Sequence, residues 1–367
     1  MAALRQWGDG LPANPAGWLL TVARRRARDH ARRDATLARK LPLLITDEVE
    51  EEDDEDVTTI ADERLRLVFT TCHPALARHA QVALTLRYAS GLTTREIARL
   101  FLVSEPTMAA RITRAKRKIA EAGIPYRVPA DADLPERLAG VLTVVYLVFT
   151  EGYAPAAGAR LLRSELCDEA IRQGRMLLEL LPDEPEVAAL QALMLLQHAR
   201  RDAREQAGGL VRLADQDRTR WRADEIDAGL ALVGSARRRS APPGGAFLLQ
   251  ARIAAAHVAE PPTDWTSIAA LYDLLERTQP SPAVRLNRAI AVAEAEGPAS
   301  GLELLDGLEA ALPGSHQPAL ATGELLARLG RTPAALRAYD RALALIGNDV
   351  VRAHVTERRD EVARRRA

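Results

Sequence analysis

The sequence predicts an all-α protein. Three observations carry that expectation. Aromatic residues are only 4% of a chain rich in Ala, Leu and Arg, a composition that favours helices over sheets. Apolar residues recur at helical spacing along most of its length. The breaks between those stretches hold helix starters and stoppers: Asn14-Pro15, Ser104 with Pro106, Pro182-Asp183, and Pro242-Pro243-Gly244-Gly245. With 367 residues and 47% hydrophobic content, two or three domains with a sizeable core are within reach.

Lys and Arg number 50, as do Asp and Glu. The balance hides segregation: basic blocks lie at the start and near residue 115, with an acidic block between them, so local charge matters more than the total. Cys72 and Cys167 read as buried or free thiols of a reducing cytoplasm, not as a disulfide framework. Cys72 adjoins His73, but helix neighbours do not face each other, which argues against a catalytic pair. No HExxH, CxxC or paired-histidine spacing occurs, so neither a metal nor another cofactor is expected. The longest apolar run, Leu138–Phe149, is too short to span a bilayer, and the start of the chain carries no apolar signal segment. A soluble cytoplasmic protein without membrane partners is expected.

The first helix opens at Asn14 as N-cap, with Pro15 at its first position. Arg24, Arg25, Arg28 and Arg32 form one stripe, while Trp18, Leu19 and Val22 cluster on another side. Such a helix either solvates its charged face or contacts phosphates. The acidic stretch TDEVEEEDDEDVTTIADE follows. Like charges repel and bury nothing, so it reads as a linker, either a plain spacer or a nucleic-acid mimic for a partner's basic channel. Helical pattern resumes at Arg64: two helices, broken near His73-Pro74 and ended by Gly91. From about Leu134 onward the chain is helix after helix. Pro318–Leu345 has the small-residue and Leu-Gly placement of a tetratricopeptide hairpin, and Ser281–Leu308 is a looser neighbour. Such hairpins either stack structurally or present a concave surface to a protein.

Between these regions lies LTTREIARLFLVSEPTMAARITRAKRKI. A helix from Glu105 to Ile119 puts Met108, Ile112, Ala115 and Ile119 on one face. Thr107, Arg111, Arg114 and Lys118 fall on a separate stripe, with Arg117 at its edge. Ser104 can cap this helix. The preceding TTREIARLF offers Ile97, Ala98 and Phe101 to pack against it. The pair forms a helix-turn-helix whose second helix suits the DNA major groove, with basic residues for phosphates.

This stretch, extended to GLTTREIARLFLVSEPTMAARITRAKRKIAEAGIPYRVP, resembles the −35-reading domain of sigma-70 family factors of the extracytoplasmic-function type. NPAGWLLTVARRRARDHARR, FTTCHPALARHAQVALTLR, VYLVFTEGYA, DQDRTRW and RLNRAIAVAE extend the resemblance over nearly the whole chain, toward the subgroup with a tetratricopeptide-like C-terminal extension. The resemblance implies four parts: a remnant of the −10-binding domain (1–40), an acidic linker (41–60), a −35 helix-turn-helix domain (61–128) and a helical C-terminal domain (129–367). It implies −35 contacts by Arg95, Ser104, Thr107, Arg111, Arg114, Arg117 and Lys118, and −10 contacts by Trp18, Arg24, Arg25, Arg28 and Arg32. The linker would thread polymerase channels. Implied partners are core RNA polymerase and promoter DNA, with an intramolecular or protein partner for the C-terminal domain. Two departures stand out. Family members begin with further helices that grip the polymerase clamp, so the N-terminus reads as truncated. Thr150 stands where the subgroup has Asn in an FNEGY motif.

The expected function is therefore a sigma factor with a fused regulatory domain. The alternative is a DNA-binding helical-repeat scaffold or regulator that cannot recruit polymerase. No enzyme is expected; Glu151 near Tyr153 and scattered histidines such as His198 and His257 are acid–base candidates, and nothing in their spacing demands a site. TEGYAP and DQDRTRW could mark a ligand pocket or an interdomain contact, and the contact is the favoured reading.

Overall fold

The computed structural model describes residues 60–364 apart from positions 91, 102, 125, 128, 130–132 and 207. The basic helix around Trp18–Arg33 and the acidic stretch lie outside the described residues. Within them the protein is all-α, with sixteen α-helices and four two-residue strands. It divides into two compact units between Val144 and Val145.

The first unit holds α1 (Ile60–Thr71), α2 (Arg78–Leu84), α3 (Thr94–Leu100), α4 (Glu105–Glu121) and the start of α5 (Leu134–Tyr153). A π-helical turn, Thr85–Ala89, continues α2. The break expected at His73-Pro74 falls between α1 and α2, where Gln81 donates its amide to the carbonyls of Cys72 and His73 at 3.2 and 2.8 Å. Those carbonyls would otherwise be orphaned at a helix end. Gly91, expected to end the second helix, lies outside the described residues. Phe69, Leu84, Leu86, Ile97 and Met108 are fully buried. Arg137, on the first turn of α5, donates to the Phe69 carbonyl at 2.7 Å. Cys72 is buried, and burial raises its thiol to about 11, so it stays a protonated core residue at neutral pH.

The second unit runs from the rest of α5 through α6 (Ser164–Leu180), α7 (Pro185–His198), α8 (Ala223–Arg239), α9 (Ala246–Val258) and α10 (Trp265–Thr278). It continues with α11 (Pro282–Ala295), α12 (Pro298–Leu304), α13 (Leu308–Ala311), α14 (Gln317–Arg328), α15 (Thr332–Leu345) and α16 (Asp349–Arg364). Pro182 sits in the turn before α7 and Pro242 in the one before α9. α7 is the central rod: ten of its residues, from Val187 to His198, are buried, and α6, α8 and α9 all pack on it.

Close approach explains two glycines. A Cβ on Gly152 would lie 2.8 Å from the Cys167 backbone nitrogen and from Leu166 Cβ, so α5 and α6 cross where no side chain intervenes. A Cβ on Gly301 would lie 2.4 Å from Ala293 Cβ, which closes the α11–α12 hairpin. The second expected hairpin is α14–α15, where Tyr339 is fully buried.

Two long-range ties organise this unit. Glu186, at the start of α7, accepts from the backbone N–H groups of Phe247 and Leu248 at 2.8 and 3.0 Å. It caps α9 from 61 residues away, doing the work of a local N-cap. Burial raises its carboxyl, and these two bonds oppose the rise. Glu186→Ala is expected to cost roughly 2–3 kcal/mol, as loss of bonds to a charged acceptor does; the urea midpoint at pH 7 measures it. At the other end, buried Asn348 donates to the Arg160 carbonyl at 2.9 Å and accepts from Val350 and Val351 N–H at 3.1 and 3.2 Å. With the parallel pairing of β1 (Ala157–Gly158) and β2 (Gly347–Asn348), it ties the last helix to the loop after α5.

Candidate nucleic-acid interface

The site is the helix-turn-helix α3–α4. α3 begins with a reciprocal capping box. Thr93 donates its N–H and its hydroxyl to Glu96 Oε2, both at 2.7 Å, and Glu96 N–H donates to Thr93 Oγ1 at 3.2 Å. This start signal was present in the sequence as T-x-x-E but was not singled out. α4 is capped by Ser104, whose backbone is extended and whose Oγ accepts Thr107 N–H at 3.3 Å. Pro106 sits in the first turn, where its missing donor costs nothing.

The inner face of α4 is Met108, Ile112, Ala115 and Ile119, all buried. Ile97 and Ala98 of α3 are buried too, and Phe101 is half-buried just beyond its end. The Val103 N–H donates to the Ala98 carbonyl at 3.0 Å and shapes the turn. Four apolar positions spaced by three and four residues bury one stripe of the helix, so the opposite stripe is held outward.

On that outward side Ser104, Thr107, Arg114, Arg117 and Lys118 are exposed, and Arg111 is half-buried. Arg95 is exposed on α3. Three details refine the expected contacts. The Ser104 and Thr107 hydroxyls lie 2.8 Å apart and bond each other. Arg117 pairs with Glu121 at 3.3 Å, so α4 carries an acid in its last turn and this guanidinium is partly offset. Among the described residues, no carboxylate lies within ion-pair distance of Arg111, Arg114 or Lys118. Those three form an uncompensated cationic edge on a rigid helix. Trp18, Arg24, Arg25, Arg28 and Arg32 lie outside the described residues.

The four acid–base candidates take different partners. Glu151 pairs with Arg163 at 3.2 Å. The Tyr153 ring lies beneath the Arg204 guanidinium at 3.9 Å. His198 Nδ1 meets Glu225 Oε2 at 3.0 Å beside Arg201, and His257 stands edge-on to Trp265 at 5.4 Å. Thr150 turns its hydroxyl back to the Leu147 carbonyl at 3.1 Å. Among the described residues no group of three or more His, Cys, Asp or Glu could hold a metal ion, and no helix is long and apolar enough to cross a membrane.

Residues 66–119 match a family model described as sigma-70, region 4, a span that runs from the middle of α1 to the last turn of α4. Residues 137–237 match a family of unknown function (DUF6596). The chain is also similar to an uncharacterized protein of Rhizobium meliloti (strain 1021), 44% identical over 371 residues, covering 98% of this chain and 87% of that protein.

Proposed function

We propose that this chain is a transcription initiation factor of the sigma-70 family, of the extracytoplasmic-function type, a reading supported by the match of residues 66–119 to sigma-70, region 4. Region 4 implies a sigma-factor-like DNA-binding role. In the proposed mechanism α4 enters the major groove of a −35 element. Thr107 and Arg111, near its N-terminal end, face base edges, and Arg114 and Lys118 meet phosphates. Arg95, Ser104 and Arg117 add contacts at the margin. Trp18, Arg24, Arg25, Arg28 and Arg32 act on the −10 side, and the acidic stretch follows polymerase channels. Core RNA polymerase performs the chemistry, in the cytoplasm. The tetratricopeptide-like C-terminal unit is the fused regulatory part, acting on this chain or on a protein partner.

The observation that carries this reading is the cationic edge of Arg111, Arg114 and Lys118, set opposite four buried apolar residues and, among the described residues, without a carboxylate in ion-pair distance. Groove binding neutralises such charge, whereas a solvated helix face mixes signs. The test is capture of purified core polymerase by the full chain, followed by transcription from a cognate promoter. Capture and promoter-dependent transcripts are the expected result. DNA binding without polymerase capture would replace this reading with a helical-repeat regulator, which the size of the second unit, Val145–Ala367, would then favour.

A further inference from the structure

Most connections in the second unit are short turns. One is not: after α7 the chain runs from Ala199 to Arg222 before α8 begins. The Arg222 N–H donates to the Ala199 carbonyl at 3.0 Å and closes the neck of this loop. Arg200 and Trp221 are therefore the residues just inside the neck. The Arg218 guanidinium stacks on the Trp221 ring at 4.3 Å and donates to the carbonyls of Val258 and Ala259 at 2.7 and 2.8 Å. That pins the neck to the end of α9, next to His257. The segment is itself ordered by three 3-10 turns and a two-stranded hairpin, Glu205–Gln206 with Gly209–Leu210.

Three polar atoms around the neck lack a hydrogen-bond partner. Trp221 is 9% exposed, and its Nε1, the Arg200 Nε and the His257 Nδ1 are all buried without a hydrogen-bond partner. The indole and guanidinium nitrogens can only donate. The charge is equally unmatched. Among the described residues, no carboxylate lies within ion-pair distance of Arg200, Arg204 or Arg218. Burial first, and then the Arg200 charge, lower His257 to about 4. Burial likewise lowers Arg204, with Arg200 adding to the fall and Tyr153 opposing it. The Arg200 charge thus acts on both the Arg204 guanidinium and the His257 imidazole. A water could accept from the donors, but an anion would accept from them and also offset the charge of the half-buried Arg200.

We propose that Arg200, Trp221 and His257 at the neck of the 199–222 loop form a binding site for a small oxyanion, a carboxylate or a phosphate carried by a low-molecular-weight ligand. The indole N–H and the Arg200 Nε–H donate to its oxygens, and the neutral imidazole flanks them. The site belongs to the second unit alone and does not rest on the reading of the helix-turn-helix.

The test follows the Trp221 indole N–H signal in the ¹⁵N-labelled full chain, assigned by its loss in Trp221→Phe. Sodium phosphate and sodium acetate are titrated in turn against sodium chloride at equal ionic strength. A saturable shift with phosphate or with acetate is expected, and which one responds separates phosphorylated ligands from carboxylic acids. Arg200→Gln is expected to weaken that response about tenfold or more, as loss of a charge-assisted bond does. An indole signal that ignores both oxyanions, or that chloride moves equally, overturns the proposal and leaves an ordered water as the occupant. Should Arg200→Gln not fold, the wild-type titration alone decides.

Discussion

Alanine at both Arg111 and Arg114 is expected to abolish promoter-directed DNA binding while leaving the helix-turn-helix folded. Neither side chain belongs to the packed face of α4, which is Met108, Ile112, Ala115 and Ile119, so the fold does not need them. A base-edge contact is worth about 1–3 kcal/mol, and losing two arginines should weaken binding on the order of 100-fold or more. Each phosphate contact removed should also flatten the dependence of log K on log salt by about one. Arg117→Ala serves as the contrast. Its guanidinium is already shared with Glu121, and its loss should cost less. Anisotropy titrations across a salt series, with circular dichroism as the fold control, make the measurement. Unchanged affinity in the double variant would remove α4 as the reading helix.

Phe149→Ala is expected to be the most damaging of these changes for stability, at roughly 3–5 kcal/mol. Phe149 is fully buried at the point where α5 meets α6. Its ring stacks between Tyr146 and Tyr153, at 6.2 and 5.5 Å, and its carbonyl accepts from the Cys167 thiol. Gly152 allows α6 to come this close. The aromatic row therefore rests on a contact with no slack to refill a deleted ring. Phe149→Leu, which keeps most of the volume, should lose much less. The pair is compared by chemical denaturation of the full chain, and equal midpoints would show that the row carries no stability.

Both predictions come from parts of the chain that differ in how legible they were. The burial pattern of α4 was readable residue by residue, because helical period is a local property and Ser104 and Pro106 mark its start. The all-α class, the break between α1 and α2, the turns at Pro182 and Pro242 and the two late hairpins were readable for the same reason. The capping box of Thr93 and Glu96 was also written in the sequence, three residues apart, and was passed over.

Other features had no local signal. Nothing around Glu186 says that its carboxylate caps α9, and nothing around Asn348 says that its amide bonds the Arg160 carbonyl 188 residues earlier. DQDRTRW stands out through the family resemblance, but its surroundings depend on Arg200 and His257, which lie elsewhere in the chain. Arg117 and Lys118 both stand about one turn before Glu121, and among the described residues the packing gives that acid to Arg117 alone.

By itself the sequence determined where helices start and stop, which stripe of each is apolar, and that one of them presents arginine and lysine to solvent. These follow from propensity, capping and a period of 3.6 residues, all decided within a turn or two. Tertiary structure alone decided which charges are left without partners, which glycines mark helix crossings, and that the last helix is tied back to the loop after α5. Those outcomes depend on groups far apart in the chain arriving within hydrogen-bond distance, and no local pattern encodes that arrival.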